Sequence, residues 1–133
     1  MLKEIPNYEG KRILIVEDNE LNMEIFQEFL EMTHVSIENA YDGVEAVEKV
    51  AESEENYYDL ILSDIRMIYM NGYTMTKSIR NMNRVDVKQM PIIGMTADAE
   101  WLTRKDAIEA GMNDQIYKPF AVEDLLDMLN HYL

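Results

Sequence analysis

Residues 59–72 read DLILSDIRMIYMNG. Leu60, Ile61 and Leu62 form a short continuous apolar run, the pattern of a strand buried on both faces. Ser63 and Asp64 follow at once, and a turn signal arrives at Asn71-Gly72. An aspartate after a strand ordinarily begins a turn, because its side chain bonds nearby backbone N–H groups. Asp64 means more than that only if other parts of the chain deliver chemistry to the same place.

Working outward, short apolar runs alternate with amphipathic segments. Arg12-Ile13-Leu14-Ile15-Val16 reads as a second strand of the buried type. Asn19 caps a helix expected over residues 20–32, with Leu21, Ile25 and Phe29 on one stripe and Met23, Phe26 and Leu30 on another. Two stripes predict an unusually buried helix. Residues 35–40 suit a short strand, and Asp42 caps a helix whose apolar face would hold Val44, Val47 and Ala51. After Asn71-Gly72, Met75, Ile79 and Met82 predict a third helix. Residues 91–95 form a strand that tolerates Pro91 at its start. A fourth helix is expected over residues 99–110, stopped by Gly111, then a strand over 115–117. Val122, Leu125, Leu126 and Leu129 stripe the last helix. Five strands alternating with five helices predict an α/β fold, a parallel sheet covered on both faces with right-handed crossovers.

The 133 residues suit one domain, with 1–10 read as a leader or linker and 11–133 as the folded unit. No apolar run approaches the roughly 18 residues of a membrane span, and MLKEIPNYEGKR lacks the apolar core of a signal peptide. There is no cysteine, which removes disulfides, thiolate nucleophiles and zinc–cysteine sites. The expected location is cytoplasmic. A net charge of −14 sets the domain against phosphate backbones, so nucleic acid is not an expected partner. Glu52-Ser53-Glu54-Glu55-Asn56 reads as a solvated helix end. His34 and His131 match no metal motif and are expected at the surface.

Open α/β sheets bind ligands at the carboxyl ends of their strands. Here those ends deliver Glu17 and Asp18, then Asp64, Thr96 and Lys118. Each has an ordinary explanation alone: acids suit a helix N-terminus, threonine a cap, lysine a surface. Together they would place three carboxylates, one hydroxyl and one ammonium on one edge. Clustered carboxylates call for a divalent cation, and oxygen-only ligands select Mg²⁺ or Mn²⁺ over zinc.

On Ile15-Val16-Glu17-Asp18-Asn19, residues 64–72, Met95-Thr96-Ala97 and Lys118-Pro119-Phe120, the sequence resembles the receiver domain of two-component response regulators. The likeness runs from about residue 11 to residue 133. Glu9-Gly10-Lys11-Arg12 and Asp18-Asn19-Glu20-Leu21-Asn22 look most like receivers carried by hybrid histidine kinases. The resemblance implies a flavodoxin-like (βα)5 fold with strand order 2-1-3-4-5. It implies that Asp64 takes a phosphoryl group from the phosphohistidine of a histidine kinase or phosphotransfer protein. Mg²⁺ would be held by Asp18, Asp64 and the Arg66 backbone carbonyl, with Glu17 acting through a water. Lys118 would supply a cation to the phosphoryl oxygens, and Thr96 a hydrogen bond that draws its loop inward and switches an interaction surface. The Lys118–Pro119 bond would be cis. Such a domain catalyses its own phosphorylation and dephosphorylation, with no kinase activity in this segment, and can form a phosphorylation-linked dimer. Either a single-domain regulator or a piece of a larger kinase fits.

Three departures from the family pattern stand out, the third a pair of residues. Ile68 stands where proline is usual, loosening the unfolded loop by about 0.4–1 kcal/mol. Gln115 occupies the switch position, usually an inward-rotating aromatic, with Tyr117 two residues on along the same side of the strand. Arg66 and Asp98 form an opposite-charge pair two residues after Asp64 and Thr96, a candidate gate on phosphoryl lifetime. Trp101 is equally a partner contact or a packing residue.

Other aspartate chemistries fit less well. A haloacid-dehalogenase-like phosphatase needs a second Asp where Arg66 stands, and a flavodoxin's phosphate loop would collide with Glu17 and Asp18. The alternative function is a degenerate receiver serving as a phosphorylation-independent binding module, but that would have shed Asp64, Lys118 or the acidic pair.

Overall fold

Strands β1 (Arg12–Val16), β2 (Ser36–Ala40), β3 (Leu60–Asp64), β4 (Ile92–Thr96) and β5 (Asp114–Tyr117) form one parallel sheet in the order β2-β1-β3-β4-β5. The computed structural model describes residues 4–67, 69–97 and 104–133. Helices α1 (Glu20–Leu30), α2 (Gly43–Glu52), α3 (Gly72–Arg80), α4 (Asp86–Gln89), α5 (Arg104–Ala110) and α6 (Val122–Tyr132) connect and cover it. This is the flavodoxin-like architecture expected from the sequence.

The alternation along the strands sorts two cores. Leu14, Val16, Ile61 and Ile92 face one side with Ala46, Val50, Met75 and Ile79. Ile13, Ile15, Leu60, Leu62 and Ile93 face the other with Met23, Phe26, Leu30, Leu125 and Leu129. β3 and β4 are buried along their whole length, whereas β2, at the edge, is only partly so. No helix among the described residues is long and apolar enough to cross a membrane.

Several local expectations change. α1 is not buried on two stripes: Met23, Phe26 and Leu30 are covered, but Leu21 is 65% exposed and Ile25 39%. A helix lying on one face of a sheet can bury only the side turned toward it. α1 also ends at Leu30, and Glu31–Thr33 tighten into a 3₁₀ turn closed by left-handed His34 (φ 63°). α2 is rolled relative to the expected face, burying Gly43, Ala46 and Val50 while Val44 and Ala51 are exposed. A Cβ on Gly43 would lie 2.8 Å from the Met70 carbonyl oxygen, so close backbone approach sets that roll. α4 was not foreseen. Arg84 clamps it, meeting Asp86 at 2.8 Å while donating to the Val50 carbonyl at 2.7 Å and the Ser53 carbonyl at 3.0 Å. The fourth expected helix is described from Arg104 only. It ends as anticipated before Gly111, whose φ of +103° suits glycine. Ahead of β1, Tyr8 is buried, with its N–H on the Thr33 carbonyl at 2.6 Å and its hydroxyl bonded to Asn130.

The chain leaves β1 for β2 on one side and β3 on the other, so the strand order reverses at β1. The carboxyl ends of β1 and β3 meet there, which is where an open α/β sheet opens a crevice.

Candidate functional site

Glu17 and Asp18 follow β1 directly, and Asp64 is the last residue of β3. Carboxylate oxygens of all three lie within 4.8 Å of one another. Glu17 is 1% exposed and Asp64 8%, while Asp18 faces solvent. Lys118, just past β5, reaches in: its Nζ lies 2.6 Å from Asp64 Oδ1 and 3.6 Å from Glu17 Oε2. Lys118 thus pairs with two of the three clustered carboxylates.

Glu17 is held by its own loop. Its Oε1 accepts from the Asn19 N–H at 3.2 Å and from Asn22 Nδ2 at 3.4 Å. Burial pushes its carboxyl above the usual range, as does Asp64 beside it, against the pull of Lys118. Burial alone would lower the Lys118 ammonium, but the bond to Asp64 and the charges of Asp64 and Glu17 outweigh it and raise the pKa. Among the described residues, Glu17 Oε2 is buried with no hydrogen-bond donor, Lys118 lying only at ion-pair distance. Three close carboxylates, one with a buried oxygen that accepts no hydrogen bond among the described residues, fit a hard divalent cation with oxygen ligands.

Asp64, Lys118, Thr96, Ala97, Met95 and Arg66 line a cleft of about 330 Å³. Thr96, 4% exposed, ends β4, and its carbonyl accepts the Lys118 N–H at 2.7 Å. The Lys118–Pro119 bond is cis, as expected. A more apolar groove of about 370 Å³ starts at Lys118 and runs between Ile25, Phe26 and Phe29 of α1 and Pro119-Phe120.

The profile of the response regulator receiver domain family matches residues 13–130. The chain belongs to this family. Curated relatives include the autoinducer 2 sensor kinase/phosphatase LuxQ of Vibrio vulnificus, 36% identical over 124 residues, covering 93% of this chain and 14% of the relative. Hybrid signal transduction histidine kinase G of Dictyostelium discoideum is 39% identical over 132 residues, covering 98% of this chain and 4% of that protein. The receiver domain therefore spans only a small fraction of these relatives. Among solved structures, the receiver domain of a Pseudomonas aeruginosa PAO1 sensor histidine kinase, with a magnesium ion in its active-site cleft, superposes with a TM-score of 0.81 at 33% identity. That match covers 92% of this chain and 97% of the other. The receiver domain of Saccharomyces cerevisiae Ssk1, solved with the phosphotransfer protein Ypd1, gives a TM-score of 0.79 at 26% identity, covering 98% and 91%.

Glu17, Asp18, Asp64, Thr96 and Lys118 of this receiver domain therefore come together. Arg66 is exposed and lines the cleft, while Ile68, Asp98 and Trp101 lie outside the described residues, so the Arg66–Asp98 pair has no structural account. His34 and His131 are exposed, as expected. Gln115 is buried and Tyr117 is 46% exposed. Gln115 Nε2 donates to the Tyr73 hydroxyl at 3.1 Å. Among the described residues, Gln115 Oε1 is buried without a donor, and such a group ordinarily costs about 1–3 kcal/mol.

Sequence reasoning missed two supporting residues of the receiver domain, and the packing role of a third. Tyr73 is the partner of Gln115. Asn39 sends its Nδ2 to the Ile15, Glu17 and Ala40 carbonyls at 3.0, 3.3 and 3.1 Å, bracing the end of β1. A polar amide inside a strand was its available signal. Gly72 is the third, because a Cβ there would meet the Asp64 carbonyl oxygen at 2.7 Å and Ile65 Cα at 3.0 Å. Both obstacles are backbone. Gly72→Ala is expected to cost about 1–3 kcal/mol in urea denaturation, with Asp64 displaced. A loss within 0.5 kcal/mol would show that the α3 start has room to yield.

Proposed function

We propose that this receiver domain accepts a phosphoryl group on Asp64 from the phosphohistidine of a histidine kinase or histidine phosphotransfer protein. The observation that carries the reading is Lys118 Nζ at 2.6 Å from Asp64 Oδ1, beside two further carboxylates. An Asp64 oxygen attacks phosphorus, the nitrogen–phosphorus bond breaks, and its electron pair returns to the imidazole, which takes a proton. The product is an acyl phosphate.

Glu17, Asp18, Asp64 and the Arg66 backbone carbonyl would hold Mg²⁺ or Mn²⁺. Bound there, such a cation offsets charge as phosphoryl oxygens approach a carboxylate. Lys118 stabilises the same oxygens from the other side. Thr96 donates its hydroxyl to the attached group, drawing its loop inward and biasing a two-state protein-binding surface, Gln115 included. The apolar groove opening at Lys118 suits a helix that carries the donor histidine. No nucleic acid or membrane contact is assigned to this domain, and its place is the cytoplasm.

Incubation with Mg²⁺ and a small phosphodonor should yield an acid-stable, base-labile adduct on Asp64, lost when the metal is chelated. Absence of any adduct, with partner binding retained, would make the domain a phosphorylation-independent module.

Lifetime follows from access to phosphorus, because in-line attack by water needs an open approach. Arg66 lines the cleft, and Asp98 follows Thr96 by two residues. Arg66→Ala and Asp98→Ala are each expected to speed dephosphorylation, with the double variant no faster than the quicker single. Parent-like decay in both singles would leave the pair as solvated charge.

A further inference from the structure

Tyr73 is the second residue of α3, and that helix start is fixed to the backbone around Asp64. The Gly72 N–H donates to the Ile65 carbonyl at 2.8 Å, and Gly72 has no room for a side chain against the Asp64 carbonyl. Gln115 lies in β5, three residues before Lys118. It pairs in register with Gly94, as Tyr117 pairs with Thr96, so its side chain shares a face with Thr96.

A leucine at 115 would fill this slot without burying a polar atom. The glutamine instead leaves Oε1 without a donor among the described residues, while its Nε2 donates to a hydroxyl 42 positions away. A half-satisfied buried amide is a poor packing choice. What it contributes is the connection between α3 and β5.

We propose that Tyr73 and Gln115 are positioning residues, whose hydrogen bond ties α3 to β5 and so sets where Lys118 stands relative to Asp64. Neither residue is among those read as phosphoacceptor or metal ligands, and the pair acts through Lys118. This rests on the reading of Asp64 as phosphoacceptor.

Tyr73→Phe removes only the hydroxyl. With a small phosphodonor and Mg²⁺, it is expected to slow labelling of Asp64 about two- to tenfold, the size of one lost hydrogen bond. In a Lys118→Ala background the same change should have no further effect. The metal-free, unphosphorylated protein offers a separate readout. Exchange of the Lys118 amide, bonded to the Thr96 carbonyl at 2.7 Å, should quicken several-fold relative to Leu14 in the sheet centre. Tyr73→Phe with Gln115→Met removes both polar groups and should recover thermal stability without recovering the labelling rate. Equal slowing in both Lys118 backgrounds, recovery of rate by the double variant, or unchanged exchange at Lys118 would each overturn the proposal. A parent chain that takes no label defeats the phosphoacceptor reading instead, and the exchange measurement then decides the pairing alone.

Discussion

Asp64→Asn is expected to reduce phosphorylation by a small phosphodonor at least about a thousandfold, the order by which loss of a nucleophile slows covalent chemistry. An amide oxygen is nearly isosteric with the carboxylate oxygen but carries no charge and attacks phosphorus poorly. The fold should not suffer. In the parent, Asp64 is one of three clustered carboxylates, and its presence raises the buried Glu17 carboxyl. Neutralising it relieves that repulsion, while Lys118 keeps Glu17 Oε2 at 3.6 Å. Thermal unfolding is therefore expected at or above the parent temperature, which separates lost chemistry from lost structure. Mg²⁺ affinity should fall with the removed ligand. Mass spectrometry of the labelled peptide checks the assignment, and undiminished labelling, or a label found on Asp18, would sink it.

The largest effect on stability is expected away from the cleft, at Arg80. Its Nε donates to the Gly111 carbonyl at 3.0 Å, and Nη1 to the Val87 and Met90 carbonyls at 2.8 and 2.6 Å. Nη2 donates to Asn113 Oδ1 at 2.8 Å, which also accepts the Ile92 N–H. One guanidinium thus joins the end of α3 to α4, to the end of α5 and to the starts of β4 and β5. Burial lowers its pKa, a mark of how far it is withdrawn from water. Arg80→Met keeps the length and strips the donors, leaving several backbone carbonyls without them. Each such group costs about 1–3 kcal/mol, and relaxation recovers part, so a net loss of about 3–5 kcal/mol is expected in urea denaturation. Domains of this size are stable by only about 5–15 kcal/mol, so the change is severe. Arg80→Lys should recover little, because a point charge cannot serve acceptors spread around a planar fork. A loss below about 1 kcal/mol for Arg80→Met would show that water replaces the guanidinium. Neither Arg80 variant removes a cleft residue, so folded Arg80→Lys should still label at Asp64.

The sheet and the principal cleft residues were readable because both rest on local patterns. A strand buried on both faces appears as an uninterrupted apolar run, as at Leu60-Ile61-Leu62, and a parallel sheet sends every such run's carboxyl end to the same edge. Glu17, Asp18, Asp64, Thr96 and Lys118 then converge wherever each run stops. Helix faces were less readable. The stripe at Leu21 and Ile25 has the right period but the wrong side of the sheet, and α2 is rolled by Gly43 against the Met70 backbone. Periodicity gives a helix a face without saying what stands opposite. The short α4 escaped because its clamp is tertiary, Arg84 reaching back to the carbonyls at the end of α2. What the sequence by itself determined was the alternation of the five strands with five of the helices along the chain and the acids at the strand ends, since these follow from hydrophobic period and chain direction. The tertiary structure alone decided the roll of α2, the Arg80 junction and the bond from Gln115 to Tyr73. Each depends on donors and acceptors distant in sequence, whose distance and direction are set only when helices pack against the sheet.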